Sequence, residues 1–548
     1  MMHKMIAGAV TGWLFSVAFV STSAAPAQQP APVSPAPATA LFETSHNCMA
    51  CHNSLSTSSG EDISMGTAWR ATMMANSARD PYWQAAVRRE IIDHPSHAAE
   101  IEDECSVCHM PMARTVSMSL GRKGEIFAHL PVGEVATREA ALAADGVSCT
   151  ACHQITADRF GTPESFTGGF VIDTRPSNSP RAIFGPYPVQ PGLTSVMHSA
   201  TGFVPVESAH IRQSELCATC HTLYTQPISP SGETLGRFPE QVPYLEWRHS
   251  AYREERSCQS CHMPVVTEPT RMSSVLGELR EGVARHSFRG GNFFMLGMLN
   301  RYRTELGVEA TPQELDAAVR DTLQHLKTDS AVLAIDRTER SGERLVVDLS
   351  VGNHSGHKLP TAYPSRRAWI HLAVRDASGA VVFESGAVTP EGRIIGNDND
   401  DDGSTFEPHY AEITRPDQVQ IYEAIMTDAA GAVTTGLLKA TSYVKDNRLL
   451  PRGFDKAAAP ADVAVHGAAR QDDNFTDVGD RVRYRIDTGD GTGPLVVEAR
   501  LLFQPIAFRW AENLAPYDAA ETKRFVGYYR SMAASSWAPL AGARADVR

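Results

Sequence analysis

The chain has 548 residues, with 50 lysines and arginines against 63 aspartates and glutamates, a formal net charge of −13. That acidic balance argues against nucleic acid as a partner and leaves room for a basic protein. The length exceeds what one ordinary core organises and predicts two domains or more.

In chain order, His3 and Lys4 make a short basic start, Ile6 to Val20 is mostly apolar, and small residues follow from Ser21 to Ala27. Residues 1–27 therefore read as a secretory signal peptide, too short for a stable membrane span. No later stretch approaches about 18 apolar residues, so no membrane span is expected in the mature chain. Residues 28–40, rich in proline and alanine, read as an extended linker. Export predicts a periplasmic or extracellular location.

All ten cysteines fall in five copies of one pattern, C-x-x-C-H. The copies are Cys48, Cys51 and His52; Cys105, Cys108 and His109; Cys149, Cys152 and His153; Cys217, Cys220 and His221; and Cys258, Cys261 and His262. This is the attachment signature of c-type haem. The two thiols form thioethers with the porphyrin vinyl groups, and the adjacent histidine coordinates the iron from below. A zinc or redox C-x-x-C does not explain a histidine after every pair. Five covalently bound haem c groups are expected, and no cysteine remains for a disulfide.

Between the motifs secondary structure is sparse. A helix is predicted from Asp80, which caps it ahead of Pro81, and another over residues 133–144. Residues 161–206, rich in Gly, Pro, Ser and Thr, read as loop. Thr311, Pro312 and Glu314 open a helix with a capping box. Then the period changes: residues 331–335, 345–351, 369–374, 380–383 and 496–503 read as strands, with a hairpin turn at Asp376-Ala-Ser-Gly. The expected fold class is α+β: a mostly α and irregular multihaem domain over 41–300, a connecting helix over 301–328, a β-sandwich-like domain over 329–510, and a helical tail over 511–548.

Each iron needs a sixth ligand or keeps an open face. Outside the motifs, His97, His129, His198, His210, His286 and His357 are the distal candidates, with His249 and the soft alternatives Met73 and Met74 behind them. His286 stands before Ser-Phe-Arg-Gly-Gly, whose glycines let backbone pass close to a porphyrin. Separately, Asp398, Asp400 and Asp402 alternate ahead of Gly403 like the opening of a calcium loop, although the twelfth position is His409 rather than glutamate. Ca2+ at that loop is the second metal expected.

The stretches Asp145-Gly-Val-Ser-Cys-Thr-Ala-Cys-His, Ser214-Glu-Leu-Cys-Ala-Thr-Cys-His-Thr and Cys258-Gln-Ser-Cys-His-Met-Pro resemble the bacterial multihaem cytochromes c. That group includes the tetrahaem partner of hydroxylamine oxidoreductase and the pentahaem and octahaem reductases. The likeness covers roughly residues 41–300, and the segments beginning at Gly356 and Tyr443 are similar to the C-terminal portion of large respiratory multihaem cytochromes. It implies bis-histidine ligation, with His198, His210, His286 and His357 as the strongest distal candidates. It further implies redox partner proteins or an external electron acceptor. One departure matters. The pentahaem nitrite reductases carry lysine at the catalytic motif, whereas all five motifs here carry histidine. The balance therefore favours an electron carrier over a reductase or oxidase of a small nitrogen or sulfur compound, or a filament-forming cytochrome.

Overall fold

The computed structural model describes residues 40–133, 136–175, 180–491 and 493–548. The expected signal peptide and nearly all of the linker lie outside them. The fold is α+β, and among the described residues no helix is long and apolar enough to cross a membrane.

The motif-bearing part is built from short helices and long connections. Helix α1 (Pro81–Asp93) starts where the sequence predicts, with the Asp80 carboxylate accepting from the amides of Tyr82 and Trp83 at 2.8 and 3.2 Å. Helix α2 (Ala98–His109) ends on the second motif. Helix α3 (Arg138–Ala144) begins later than expected, because the Thr137 hydroxyl caps it by accepting from the Ala140 amide. Residues 161–206 are not simply loop. They contain strand β1 (Arg181–Gly185), helix α4 (Pro191–Thr201) and strand β2 (Phe203–Glu207), with the two strands paired in parallel. The overlooked signal was local: Pro191 opens α4 and Gly202 closes it at φ +79°, the usual proline-first, glycine-last asymmetry.

Helix α5 (Pro312–Asp329) carries the capping box between Thr311 and Glu314. It leads into strands β3 (Ala331–Ser341), β4 (Arg344–Asn353), β5 (Arg367–Asp376) and β6 (Val381–Ser385). Short strands β7 (Glu412–Ile413) and β8 (Ile421–Tyr422) and long strands β9 (Asp480–Asp487) and β10 (Leu495–Gln504) follow. One sheet runs β7-β9-β4-β3; the other runs β6-β5-β10, with β8 also on β5. Strand β9 alternates strictly, burying Val482, Tyr484 and Ile486 and exposing Arg481, Arg483 and Arg485, as a half-buried strand must. Leu345, Val347 and Leu349 of one sheet share a core with Ile370, Leu372 and Val497 of the other.

The C-terminus differs from the expected helical tail. Helix α6 (Ala520–Met532) is present, but strand β11 (Ala538–Val547) then pairs antiparallel with β10 from Leu495↔Val547 to Phe503↔Ala538. Its run of Ala, Gly and Arg has little intrinsic strand preference, so its conformation is imposed by the open edge of β10. Helix α6 returns to the motif-bearing part, where Arg88 donates to Glu521 at 3.0 and 3.1 Å and Tyr82 packs on Phe525 at 4.9 Å. The Glu90 carboxylate accepts from the amides of Leu437 and Leu438. The two parts thus interlock through several chain segments.

The acidic stretch 398–402 departs from the calcium expectation. Residues Asp398–Asp401 form a helical turn, and both carboxylate oxygens of Asp400 are taken by the Arg367 guanidinium at 2.8 Å. Asp402 faces outward and accepts from the Ser404 amide and hydroxyl. The three carboxylates therefore do not converge on a cation; Asp400 neutralises an arginine instead. His409, the twelfth residue, sits in another buried cluster, with Nε2 at 3.1 Å from Asp472 and 3.9 Å from Asp480. Its Nδ1 faces amide groups of Gln420 and Asn447 at 2.8 and 3.1 Å. The oxygens of those amides already accept from the backbone at Tyr410 and Glu423, so their nitrogens face His409. Nδ1 must then accept, and the ring proton lies on Nε2, where it donates to Asp472. A metal on Nε2 would have to displace that proton, so the cluster is a hydrogen-bond hub.

A second buried set holds Lys358 and Arg448 against Asp446, with Lys358 Nζ at 2.7 Å and Arg448 also on Glu246 at 2.9 Å. Burial alone would raise the Asp446 carboxyl, but the charges of Arg448 and Lys358 hold it well below the usual carboxylate range. Asp446→Asn should cost about 3–5 kcal/mol, because it leaves two buried cations short of charge; urea unfolding reads this directly. The sign of the pH effect follows. Because the folded value is depressed, this stabilisation is complete above the unfolded value of about 4 and is lost as pH falls below it. The variant should therefore lose stability less steeply than the parent on acidification.

Candidate haem-binding motifs and their surroundings

Each motif lies on a turn of helix. The amides of His52, His153 and His221 donate to the carbonyls of Cys48, Cys149 and Cys217 at 3.0, 3.0 and 2.9 Å. That turn brings the first cysteine, the second three residues on and the histidine four residues on to one face. A single flat ligand can then meet all three.

The motifs are also brought together across the chain. Cys48 lies close to Cys149, Cys108 to Cys220, and Cys217 to Cys258. Cys152 and Cys220 are close enough to interact electrostatically. The first motif thus adjoins the third, the third the fourth, and the fourth both the second and the fifth. A cavity of about 640 Å³ is bordered by residues of the first four motifs and by Gln259 of the fifth. Trp69, Trp83, Val87, Phe184, Phe203 and Met295 supply much of its apolar wall.

The ring nitrogens decide what the histidines can hold. Nδ1 of His52 donates to the Met272 carbonyl at 2.6 Å, of His109 to Ser77 at 3.1 Å, and of His153 to Phe184 at 2.6 Å; that of His262 donates to Arg289. A carbonyl can only accept, so the proton is on Nδ1 and Nε2 keeps its lone pair for a metal. Trp83 stacks on His109 at 4.3 Å and 2°, fixing its plane. Burial pulls the imidazoles of His109 and His262 down to about 4, and lowers those of His52, His153 and His221. All are neutral at physiological pH, as ligation requires.

Two of the six distal candidates stand opposite motif histidines. The rings of His153 and His286 are 6.3 Å apart and inclined by 19°; those of His262 and His357 are 6.2 Å apart and inclined by 13°. One iron bonded at about 2 Å to each of two imidazoles separates their centres by roughly 6 Å. His286 and His357 also donate through Nδ1 to carbonyls, of Ala284 and Lys358, so both rings of each pair offer Nε2. The donor set and its spacing fit haem.

The other candidates lie elsewhere. Both ring nitrogens of His210 are engaged, by the Ser208 hydroxyl and the Ile155 carbonyl. His97 is half-buried and meets the Gly232 carbonyl at 3.1 Å. His129 is surrounded by Glu139, Glu125, Glu102 and Arg122. His198 is exposed on α4, although its neighbour Met197 borders the cavity, as do Met73 and Met74. His249 is turned to the Leu245 carbonyl. Sequence reasoning did not find the polar residues on the cavity wall, among them Glu90, Glu240, Tyr363 and Arg366. Burial pushes the Glu240 carboxyl up to about 8. The Arg366-Arg367 doublet was the available signal for the arginine, but nothing local separates its two members.

No protein-family model matches this chain, and no curated protein sequence matches it. Among solved structures it is similar to a penta-haem cytochrome c552 from Thermochromatium tepidum, at 17% identity and a TM-score of 0.48, over 92% of this chain and 99% of that one.

His286→Ala and His357→Ala should each convert one iron of the assembled protein from low to high spin, seen by low-temperature EPR. His210→Ala, whose nitrogens are committed elsewhere, should leave every low-spin signal in place.

Proposed function

We propose that this chain is an exported five-haem c-type cytochrome that carries electrons between redox partner proteins or to an external acceptor. The observation that carries this reading is the pair of histidine couples, His153–His286 and His262–His357. Each holds a motif histidine at the spacing of a six-coordinate iron. Closed irons exchange electrons without taking up substrate. When bound, haem supplies the one-electron chemistry. The chain's own residues do the rest. Ten cysteines would anchor the groups, the five motif histidines would ligate the irons, and His286 and His357 would be second ligands to two of them. The backbone carbonyls of Met272, Ser77, Phe184 and Arg289 fix the ligand tautomers, and the apolar wall excludes water. Adjacency among the motifs supports a continuous path from the first to the fifth.

Alkylation of the unfolded holoprotein should label none of the ten cysteines, whereas the chain produced without haem attachment should label all ten; mass spectrometry counts the adducts. Low-temperature EPR of the air-oxidised protein, before and after nitrite or hydroxylamine, tests the carrier reading. Low-spin spectra that ignore both reagents support it. A high-spin iron that shifts on addition shows an open face and replaces the carrier with a reductase.

A further inference from the structure

Among the buried arginines, charge compensation is the rule. Arg367 is held by Asp400, Arg448 by Asp446 and Glu246, and Arg89 lies beside Asp93. Arg366, which is half-buried, has no such partner. Its guanidinium donates only to uncharged oxygens, the Thr361 carbonyl at 2.9 Å and the Asn292 side chain at 3.2 Å. It forms no ion pair among the described residues. Desolvation pulls it down to about 10, which leaves it cationic at neutral pH. The surface that Arg366 exposes borders the internal cavity, together with Asn292, Tyr363 and Ser365. His221 borders the same cavity, and after burial the charge of Arg366 adds to the lowering of the His221 and His357 imidazoles. A guanidinium facing a cavity without a carboxylate leaves its charge unbalanced. A planar fork of N–H donors on a cavity wall is matched by a two-oxygen anion.

Building on the cytochrome reading above, we propose that Arg366 is an internal anion site, receiving a carboxylate-class group in the cavity beside His221. That chemistry has two sources: a propionate of a bound haem, or a small free anion such as formate entering from solvent. Thr361 and Asn292 orient the guanidinium, and the anion supplies the charge that the protein withholds. Fixed positive charge favours the reduced, less positive state of a nearby iron, so Arg366 also raises the potential at which that iron accepts an electron.

The test compares wild type, Arg366→Gln and Arg366→Lys. Haem content is measured first by the pyridine haemochrome assay, then spectroelectrochemical titration and formate calorimetry are run on each. If the anion is a haem propionate, Arg366→Gln lowers one midpoint potential, Arg366→Lys largely restores it, and formate is not taken up by wild type. If the anion is free, formate binds wild type saturably, about tenfold more weakly to Arg366→Lys, and not to Arg366→Gln. Unchanged midpoints in an Arg366→Gln protein of full haem content, with no formate uptake by wild type, overturn the proposal. Wild type without haem would instead overturn the cytochrome reading. Formate calorimetry then decides the anion site alone: arginine-dependent uptake retains it, and no uptake sinks it.

Discussion

A histidine offers a metal only one of its two ring nitrogens, and the other must be held if the ring is to keep its tautomer and its plane. In this chain backbone carbonyls do the holding, and they come from far along the sequence. His52 depends on Met272, His109 on Ser77, His153 on Phe184 and His262 on Arg289. That dependence explains much of the irregular architecture. The parallel unit of β1, α4 and β2 places the Phe184 carbonyl, and the segment after the fifth motif reaches back to the first.

The β-sheet part is joined to this arrangement chemically. The turn after β4 presents His357 to His262 and, one residue later, sinks Lys358 into the charge cluster of Asp446, Arg448 and Glu246. The Glu246 carboxylate also accepts from the Lys358 amide. A histidine mounted on such a cluster has little freedom to swing. The connection from there into β5 carries Arg366, so this part brings a histidine to His262 and a positive charge to the cavity wall that His221 also borders. Return of α6 onto α1 closes the interface from the other side.

What was legible in the residues was whatever depends on neighbours in sequence. The five C-x-x-C-H turns, the Asp80 cap of α1, the Thr311 capping box of α5 and the alternating strands all follow from spacings of two, three or four residues. Where local signals were mixed, reading by composition failed. Pro191 and Gly202 bracket a real helix inside a Gly- and Pro-rich stretch, and Ala538–Val547 becomes a strand because β10 offers it an unpaired edge.

The sequence by itself determined the five C-x-x-C-H motifs, because two thiols and a histidine at these spacings share one face of a helical turn through local geometry alone. Only the tertiary structure decided which histidines face the motifs. His286 and His357 do so, while His210 spends both nitrogens on Ser208 and Ile155. It also decided that Asp400 neutralises Arg367 instead of joining a cation loop, and that Arg366, one residue away, is left uncompensated on a cavity wall. Those outcomes depend on pairings across tens or hundreds of residues, and ring-to-ring distance, like charge balance, is a property of space that spacing along a chain does not encode.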